Sequence, residues 1–288
     1  MPTGIPVSGR TPGTRNPASA SQGGIRVVIA GKGGVGKTTI TALLAHLFSR
    51  KGLRVLAVDG DPQQNLAVTL GILPEKAGQI VPVSKSADYL REKTGAGPDI
   101  SPGGLLTLNP DVSDVVDRFS IPVTDNLRFL LMGGVRMAGA GCLCPEYTLL
   151  AAILRHMPLL PDHVVLLDTP AGMEHFGRAV ADGFETALII TDPSYNALSV
   201  ARESALLARQ IGIKNRILVV NRSEASEDLR KIQEICGEEG LFFRVFCLPV
   251  DPEVVRSEPV VTPLLEEHSP FMNGMRGLAD YILRSGIY

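Results

Sequence analysis

The chain has 288 residues, 44% hydrophobic and 20% charged, which suits one large α/β domain with a substantial core. A formal net charge of −2 gives no electrostatic case for nucleic acid or an anionic membrane surface as a general partner. No apolar run approaches the length of a membrane span. Four irregularly spaced cysteines do not form a secreted disulfide framework, so a reducing cytoplasm is the expected setting.

Residues 1–24 are rich in Pro, Gly, Ser and Thr and lack any acidic or aromatic residue or a signal-peptide core, so they read as a flexible tail before a domain over 25–288. Residues 25–30, Ile-Arg-Val-Val-Ile-Ala, are strand formers. They run into Gly31-Lys32-Gly33-Gly34-Val35-Gly36-Lys37-Thr38-Thr39 and then a helical pattern with Ile40, Leu43, Leu44, Leu47 and Phe48 on one face, stopped by Gly52. Strand, glycine loop and helix in that order are the context of a Walker A phosphate site; the alternative is a glycine-rich turn that binds nothing. The glycines let the backbone wrap an anion with its N–H groups inward. The helix start adds unpaired donors and the positive end of its dipole. On this reading Gly33, Gly34, Val35, Gly36, Lys37, Thr38 and Thr39 cradle ATP. Lys37 reaches the β- and γ-phosphates, and the Thr38 hydroxyl ligates Mg²⁺.

Lys32 makes the string more informative. In the form KGGxGKT it resembles the deviant Walker A motif of dimeric P-loop ATPases: the nitrogenase iron protein, the chromosome-partitioning and septum-site ATPases, and ATPases that mature metalloenzymes. The resemblance implies a homodimer in which Lys32 crosses the interface to the nucleotide of the other protomer. The alternative is a solvated lysine.

Residues 54–59 form a short apolar run suited to a buried parallel strand, ending in Asp59-Gly60-Asp61-Pro62-Gln63-Gln64-Asn65. Loops at the carboxyl ends of strands line the ligand crevice of α/β folds, so Asp61 is a candidate to orient the attacking water or a water on Mg²⁺. The partitioning ATPases carry a similar DxDPxxN switch, which implies that Asp61 is the hydrolysis aspartate. Helix capping by either aspartate is the alternative. Residues 71–126 are irregular, with one helical candidate at 87–92, and read as a specificity region. A strand is expected at 127–132.

Gly139-Ala140-Gly141-Cys142-Leu143-Cys144-Pro145-Glu146 leads into an apolar helix to about residue 156. Proline and an acid in the first turn mark a helix N-terminus, where the dipole favours thiolate. Cys142 and Cys144 supply half of a tetrahedral site, and a symmetric dimer would bring four thiolates to one Ni²⁺ or Zn²⁺. A buried structural pair is the alternative. Residues 164–168 are a buried strand ending in Asp168, the Walker B pattern, with Asp168 holding Mg²⁺ through water and Gly172 in Thr169-Pro170-Ala171-Gly172 sensing the γ-phosphate.

Together, the CxC-Pro-Glu segment, Met173-Glu174-His175-Phe176-Gly177-Arg178 and Thr191-Asp192-Pro193-Ser194-Tyr195 resemble the ATPases that assist nickel insertion into carbon monoxide dehydrogenase and acetyl-CoA synthase. Thr169-Pro170 departs from that pattern, which carries an acidic pair of the Met-Glu kind before Ala-Gly. His175 reads as a hydrogen-bonded helical histidine, with a metal ligand as the alternative, and Cys236 and Cys247 as core residues.

The remainder alternates strand and helix: strands at 187–191, 216–221 and 242–248, helices at 197–211, 226–238 and 270–288. The family resemblance implies adenine contacts from Asn221, Arg222, Pro249 and Asp251. Loop polarity explains these residues as well. The expected architecture is a doubly wound, mostly parallel sheet of the nitrogenase iron protein and partitioning ATPase type. The expected function is a Mg-ATP-dependent dimerisation switch that assists nickel insertion into a client nickel–iron–sulfur enzyme. Two other outputs of the same fold stay open. One is a partitioning or positioning ATPase, which the CxC pair and the lack of a basic run oppose. The other is an iron–sulfur reductase, which the absence of cysteine between Asp168 and Cys236 opposes.

Overall fold

The computed structural model describes residues 4–5, 23–61, 63–95, 107, 111–133, 145–156, 159–171, 183–224 and 228–286. Its strands are β1 (Gly4–Ile5), β2 (Ile25–Gly31), β3 (Arg54–Asp59), β4 (Ile121–Thr124), β5 (Leu127–Leu131), β6 (His163–Asp168), β7 (Thr186–Thr191), β8 (Asn215–Val220) and β9 (Arg244–Cys247). They form one sheet in the order β1-β9-β8-β7-β2-β6-β3-β5-β4. Every pairing from β9 to β5 is parallel, and only the short edge strands β1 and β4 run antiparallel. The doubly wound, mostly parallel α/β architecture expected from the pattern is the one observed.

The helices are α1 (Lys37–Arg50), α2 (Leu66–Thr69), α3 (Pro74–Ala77), α4 (Ala87–Thr94), α5 (Val115–Phe119), α6 (Pro145–His156), α7 (Tyr195–Gln210), α8 (Asp228–Cys236), α9 (Pro252–Ser257) and α10 (Pro270–Gly286). Strand period explains how they cover two faces. Val27 and Ile29 of β2 pack into the layer with α1, α2 and α10. Val28 and Ala30 pack into the layer with α4, α6, α7 and α8. A strand buried on both sides needs apolar residues at every position, which is why β2, β6 and β7 read as continuous runs.

The long strands and helices lie within about two residues of their expected places. Strand β9 is shorter, four residues rather than seven, although the Phe243 and Leu248 N–H groups still donate to the Arg216 and Val220 carbonyl oxygens of β8. The 71–126 region holds more structure than its irregular text suggests: α3, α5 and β4 join the anticipated α4. It is anchored by Tyr89, whose buried ring lies edge-on to Phe119 at 4.8 Å and under the Arg118 guanidinium at 4.7 Å. The Tyr89 hydroxyl donates to Asp114 Oδ1 at 3.0 Å. Helix α9 was not anticipated, although Asp251-Pro252 is an N-cap followed by proline at N1.

Candidate functional site

Three neighbouring strands assemble the site. Register sets Ile29 of β2 beside Asp168 of β6, and Asp168 beside Asp59 of β3. The phosphate loop and two carboxylates therefore share the carboxyl edge, where the connection from β2 crosses over β6 to reach β3, the switch point of an open α/β sheet.

The loop leaves β2 through Gly31, whose Cβ, if present, would lie 2.1 Å from the Ile190 carbonyl oxygen on β7. Gly36, at φ 97°, forms the N-cap of α1 and offers no side chain to its first-turn N–H groups, and that turn has no acidic residue. Ser194 caps α7 and Asp251 caps α9, while α2 to α5 also lack a side-chain cap, so the glycine loop before α1 is what sets its start apart. Donors left to the backbone at a helix start are what an anion site requires.

Lys37 is 7% exposed, and its ammonium donates to the Lys32 carbonyl oxygen at 3.2 Å. Burial lowers its pKa, opposed by the charges of Asp168 and Asp61. The Thr38 hydroxyl donates to Asp168 Oδ2 at 2.6 Å. Burial, aided by the charge of Asp61, pushes the Asp168 carboxyl up to about 6 against Thr38 and Lys37, which favour its anion. Asp168 Oδ1 is buried with no hydrogen-bond partner among the described residues. A hydroxyl and a buried carboxylate with a spare oxygen are a hard, all-oxygen donor set, so these residues fit Mg²⁺.

Sequence reasoning left the role of Asp59 open. Its Oδ1 accepts the Asp61 N–H at 2.9 Å and its Oδ2 accepts the Leu66 N–H at 3.2 Å. Asp59 thus closes the loop that carries Asp61 and supplies an acceptor to the start of α2. Burial first, then the nearby Asp168, raises its carboxyl to about 7. Asp61 itself is half-buried, with Oδ1 accepting the Gln63 N–H at 2.9 Å. Thr169 was also missed: its hydroxyl donates to the Ile29 carbonyl oxygen at 2.7 Å and ties the end of β6 to β2. The signal was a hydroxyl residue directly after a strand-terminal acid, but only strand order shows what it reaches.

Lys32, Gly33 and Gly34 are exposed, Val35 is buried, and Thr39 is half-buried in the first turn of α1. The Asn221 amide donates to the Val35 carbonyl oxygen at 2.9 Å, and Arg222 donates to the Gly34 carbonyl oxygen at 3.1 Å. Asp251 Oδ1 accepts the Glu253 N–H at 3.0 Å, while its Oδ2 is buried without a partner among the described residues. Pro249 is half-buried two residues before it. A cavity of about 420 Å³ opens beside the loop, lined in part by Thr38, Thr39, Asn65, Val68, Glu258 and Val261. Cys142, Cys144, Gly172 and His175 lie outside the described residues. Among the described residues there is no cluster of three or more potential metal-ligating side chains, and no helix is long and apolar enough to cross a membrane. Cys236 is buried against the Leu198 carbonyl oxygen with its thiol pushed up to about 11 by burial, and burial also raises Cys247; both pack as structural residues.

Comparison with known proteins agrees with this geometry. Residues 26–259 match the model of the CobQ/CobB/MinD/ParA nucleotide binding domain. The chain is 40% identical over 241 residues to an uncharacterised ATP-binding protein of Methanocaldococcus jannaschii, covering 83% of this chain and 91% of that protein. It is 38% identical over 205 residues to the carbon monoxide dehydrogenase accessory protein CooC of Rhodospirillum rubrum, covering 71% and 77%. A plasmid partition protein of Borrelia burgdorferi, solved with AMPPNP, shares the fold with a TM-score of 0.63 at 17% identity, covering 91% of this chain and 99% of that one. With its phosphate loop, its Thr38–Asp168 pair and a family match over most of its length, the chain is a P-loop ATPase and belongs to the CobQ/CobB/MinD/ParA nucleotide-binding domain family.

Proposed function

We propose that this ATPase is a nucleotide-driven dimerisation switch that assists insertion of nickel into a carbon monoxide dehydrogenase-type client. The observation that carries the reading is the 38% identity to a carbon monoxide dehydrogenase accessory protein, joined to the Cys142-x-Cys144 pair. Lys37 and the loop N–H groups bind the phosphates, Gly172 reports the γ-phosphate, and Asp61 orients the attacking water. Thr38, with Asp168 through water, holds Mg²⁺, which neutralises phosphate charge when bound. Asn221, Arg222, Pro249 and Asp251 face the base, and the spare Asp251 oxygen is an acceptor suited to an amino group. Lys32 reaches the second protomer. The dimer works in the cytoplasm, without nucleic acid or membrane as partner.

The transported ion is held by Cys142 and Cys144 of both protomers. Two thiolates leave coordination positions open, so a second copy completes the set. Four thiolates can hold nickel(II) in a plane or zinc in a tetrahedron, and X-ray absorption separates the two. Reduced protein is titrated with Ni²⁺ or Zn²⁺ while stoichiometry and mass are followed together. One ion per dimer is expected, lost in Cys142→Ala/Cys144→Ala. One ion per monomer, or unchanged affinity in the double variant, overturns the bridging site.

A further inference from the structure

A loop that turns its N–H groups toward an anion turns its carbonyls outward, and each outward carbonyl away from water needs a donor. The peptide unit is planar, so holding a carbonyl on one side fixes the next residue's N–H on the other. In this loop two consecutive carbonyls are held from the end of β8, a strand separated from β2 by β7. The Asn221 amide, 8% exposed, donates to Val35 O at 2.9 Å, which orients the N–H of Gly36. The Arg222 guanidinium donates to Gly34 O at 3.1 Å, which orients the N–H of Val35.

The two residues are themselves braced. The Arg222 N–H donates to Asn221 Oδ1 at 3.0 Å, and the Asn221 N–H donates to Thr191 O on β7 at 2.7 Å. Arg222 adopts the left-handed region at φ 57°, a conformation that costs a non-glycine residue energy and persists where neighbouring contacts hold it. The approach is close: a Cβ on Gly36 would stand 2.6 Å from Asn221 Nδ2, so glycine there serves the clamp as well as the loop's own backbone.

We infer that Asn221 and Arg222 are positioning residues of the phosphate site, orienting the Val35 and Gly36 N–H groups toward the phosphate chain whatever base the nucleotide carries. This goes beyond the base contacts proposed above, since a base contact and a loop clamp respond differently to a ligand with no base. The consequence is that the strand end facing the base also sets the geometry of the phosphate cradle.

The probes are Mg²⁺ with inorganic tripolyphosphate, ATP and GTP, measured by calorimetry on the full chain. Asn221→Ala and Arg222→Gly are compared with wild type, the glycine being chosen because it keeps the left-handed backbone and removes only the guanidinium. Asn221→Ala is expected to weaken tripolyphosphate roughly tenfold and Arg222→Gly, whose bond is exposed, roughly threefold; ATP and GTP fall at least as far, and ATP further where a base contact is lost as well. Arg222→Lys, which restores a donor, recovers part of the loss. Unchanged tripolyphosphate affinity in both variants, with a shifted ratio of ATP to GTP affinity, overturns the clamp and leaves Asn221 as a base contact only. Arg222 is exposed, so Arg222→Gly keeps its ligand-free melting midpoint and decides the question alone if Asn221→Ala does not fold. Lys37→Ala is the separate control. If it binds tripolyphosphate as wild type does, the phosphate site itself is misplaced.

Discussion

Asp59 and Asp168 are register partners at the ends of β3 and β6, with carboxyls raised to about 7 and about 6 from an ordinary 3.8. A raised folded-state value means that the folded chain holds these protons more tightly than the unfolded one. Their contribution to stability is therefore full below 3.8 and is lost as pH rises through about 6 and 7. The ligand-free melting midpoint is expected to fall across that window, and Asp59→Asn to flatten the fall. A midpoint that rises there in wild type would reject the assignment. For the proposed Mg²⁺ role of Asp168 the sign is opposite: a proton competes with the metal for the anion, so Mg-ATP binding is expected to weaken as pH drops through about 6. Two further side chains divide binding from turnover. Lys37→Ala should lose turnover about a hundredfold or more, because no neighbour replaces its charge at the phosphates. Asp61→Ala should retain ATP but hydrolyse it slowly, and rapid phosphate release from that variant would remove Asp61 from the mechanism.

Between elements, the tightest tolerance is where β2 passes β7. Gly31 sits at φ 148°, and the atom its Cβ would strike is a backbone oxygen 2.1 Å away, which no rotamer change relieves. Gly31→Ala is expected to cost about 3 kcal/mol, read as a lower urea midpoint, and to weaken nucleotide binding by prising the loop from the sheet. A midpoint within error of wild type would mean that the two strands separate easily. Elsewhere α4 and α5 hold together through Tyr89 and its charged collar, with Lys93 also reaching Asp114 at 3.0 Å, while Ala77 of α3 packs into the opposite layer. The 71–126 region also joins the sheet through its backbone, by β4 pairing with β5 and by the Ser84 N–H donating to the Met132 carbonyl oxygen at 3.1 Å.

At the scale of the molecule, the exposed glycine loop carries Lys32 at the sheet edge that also presents Tyr195, 72% exposed, and Val250, 59% exposed. An ATPase whose nucleotide is touched by both protomers dimerises when the nucleotide binds the paired state better than the single one. Lys32→Ala should bind Mg-ATP yet stay monomeric in light scattering, and unchanged ATP-dependent dimerisation would end its cross-interface role. If metal also bridges the dimer, linkage requires metal to tighten ATP and ATP to tighten metal by the same factor.

What the sequence determined by itself was the local chemistry. The Gly31–Thr39 string specifies a loop because glycine backbone freedom, a following helix dipole and a lysine act within nine consecutive residues. Continuous apolar runs ending in Asp59 and Asp168 specify buried parallel strands, because a strand covered on both faces has no polar side to display. The tertiary structure decided which ends meet. Asp168 faces Thr38 across 130 positions of chain, and Asn221 and Arg222 reach loop carbonyls more than 180 positions away. No periodicity encodes those distances, because strand order in a parallel sheet follows from how crossovers pack and not from any one segment. Asp59 shows the same division within a short span. Its identity was legible, but its two hydrogen bonds, one to Asp61 and one seven residues on to Leu66, depend on the loop folding back over the sheet edge.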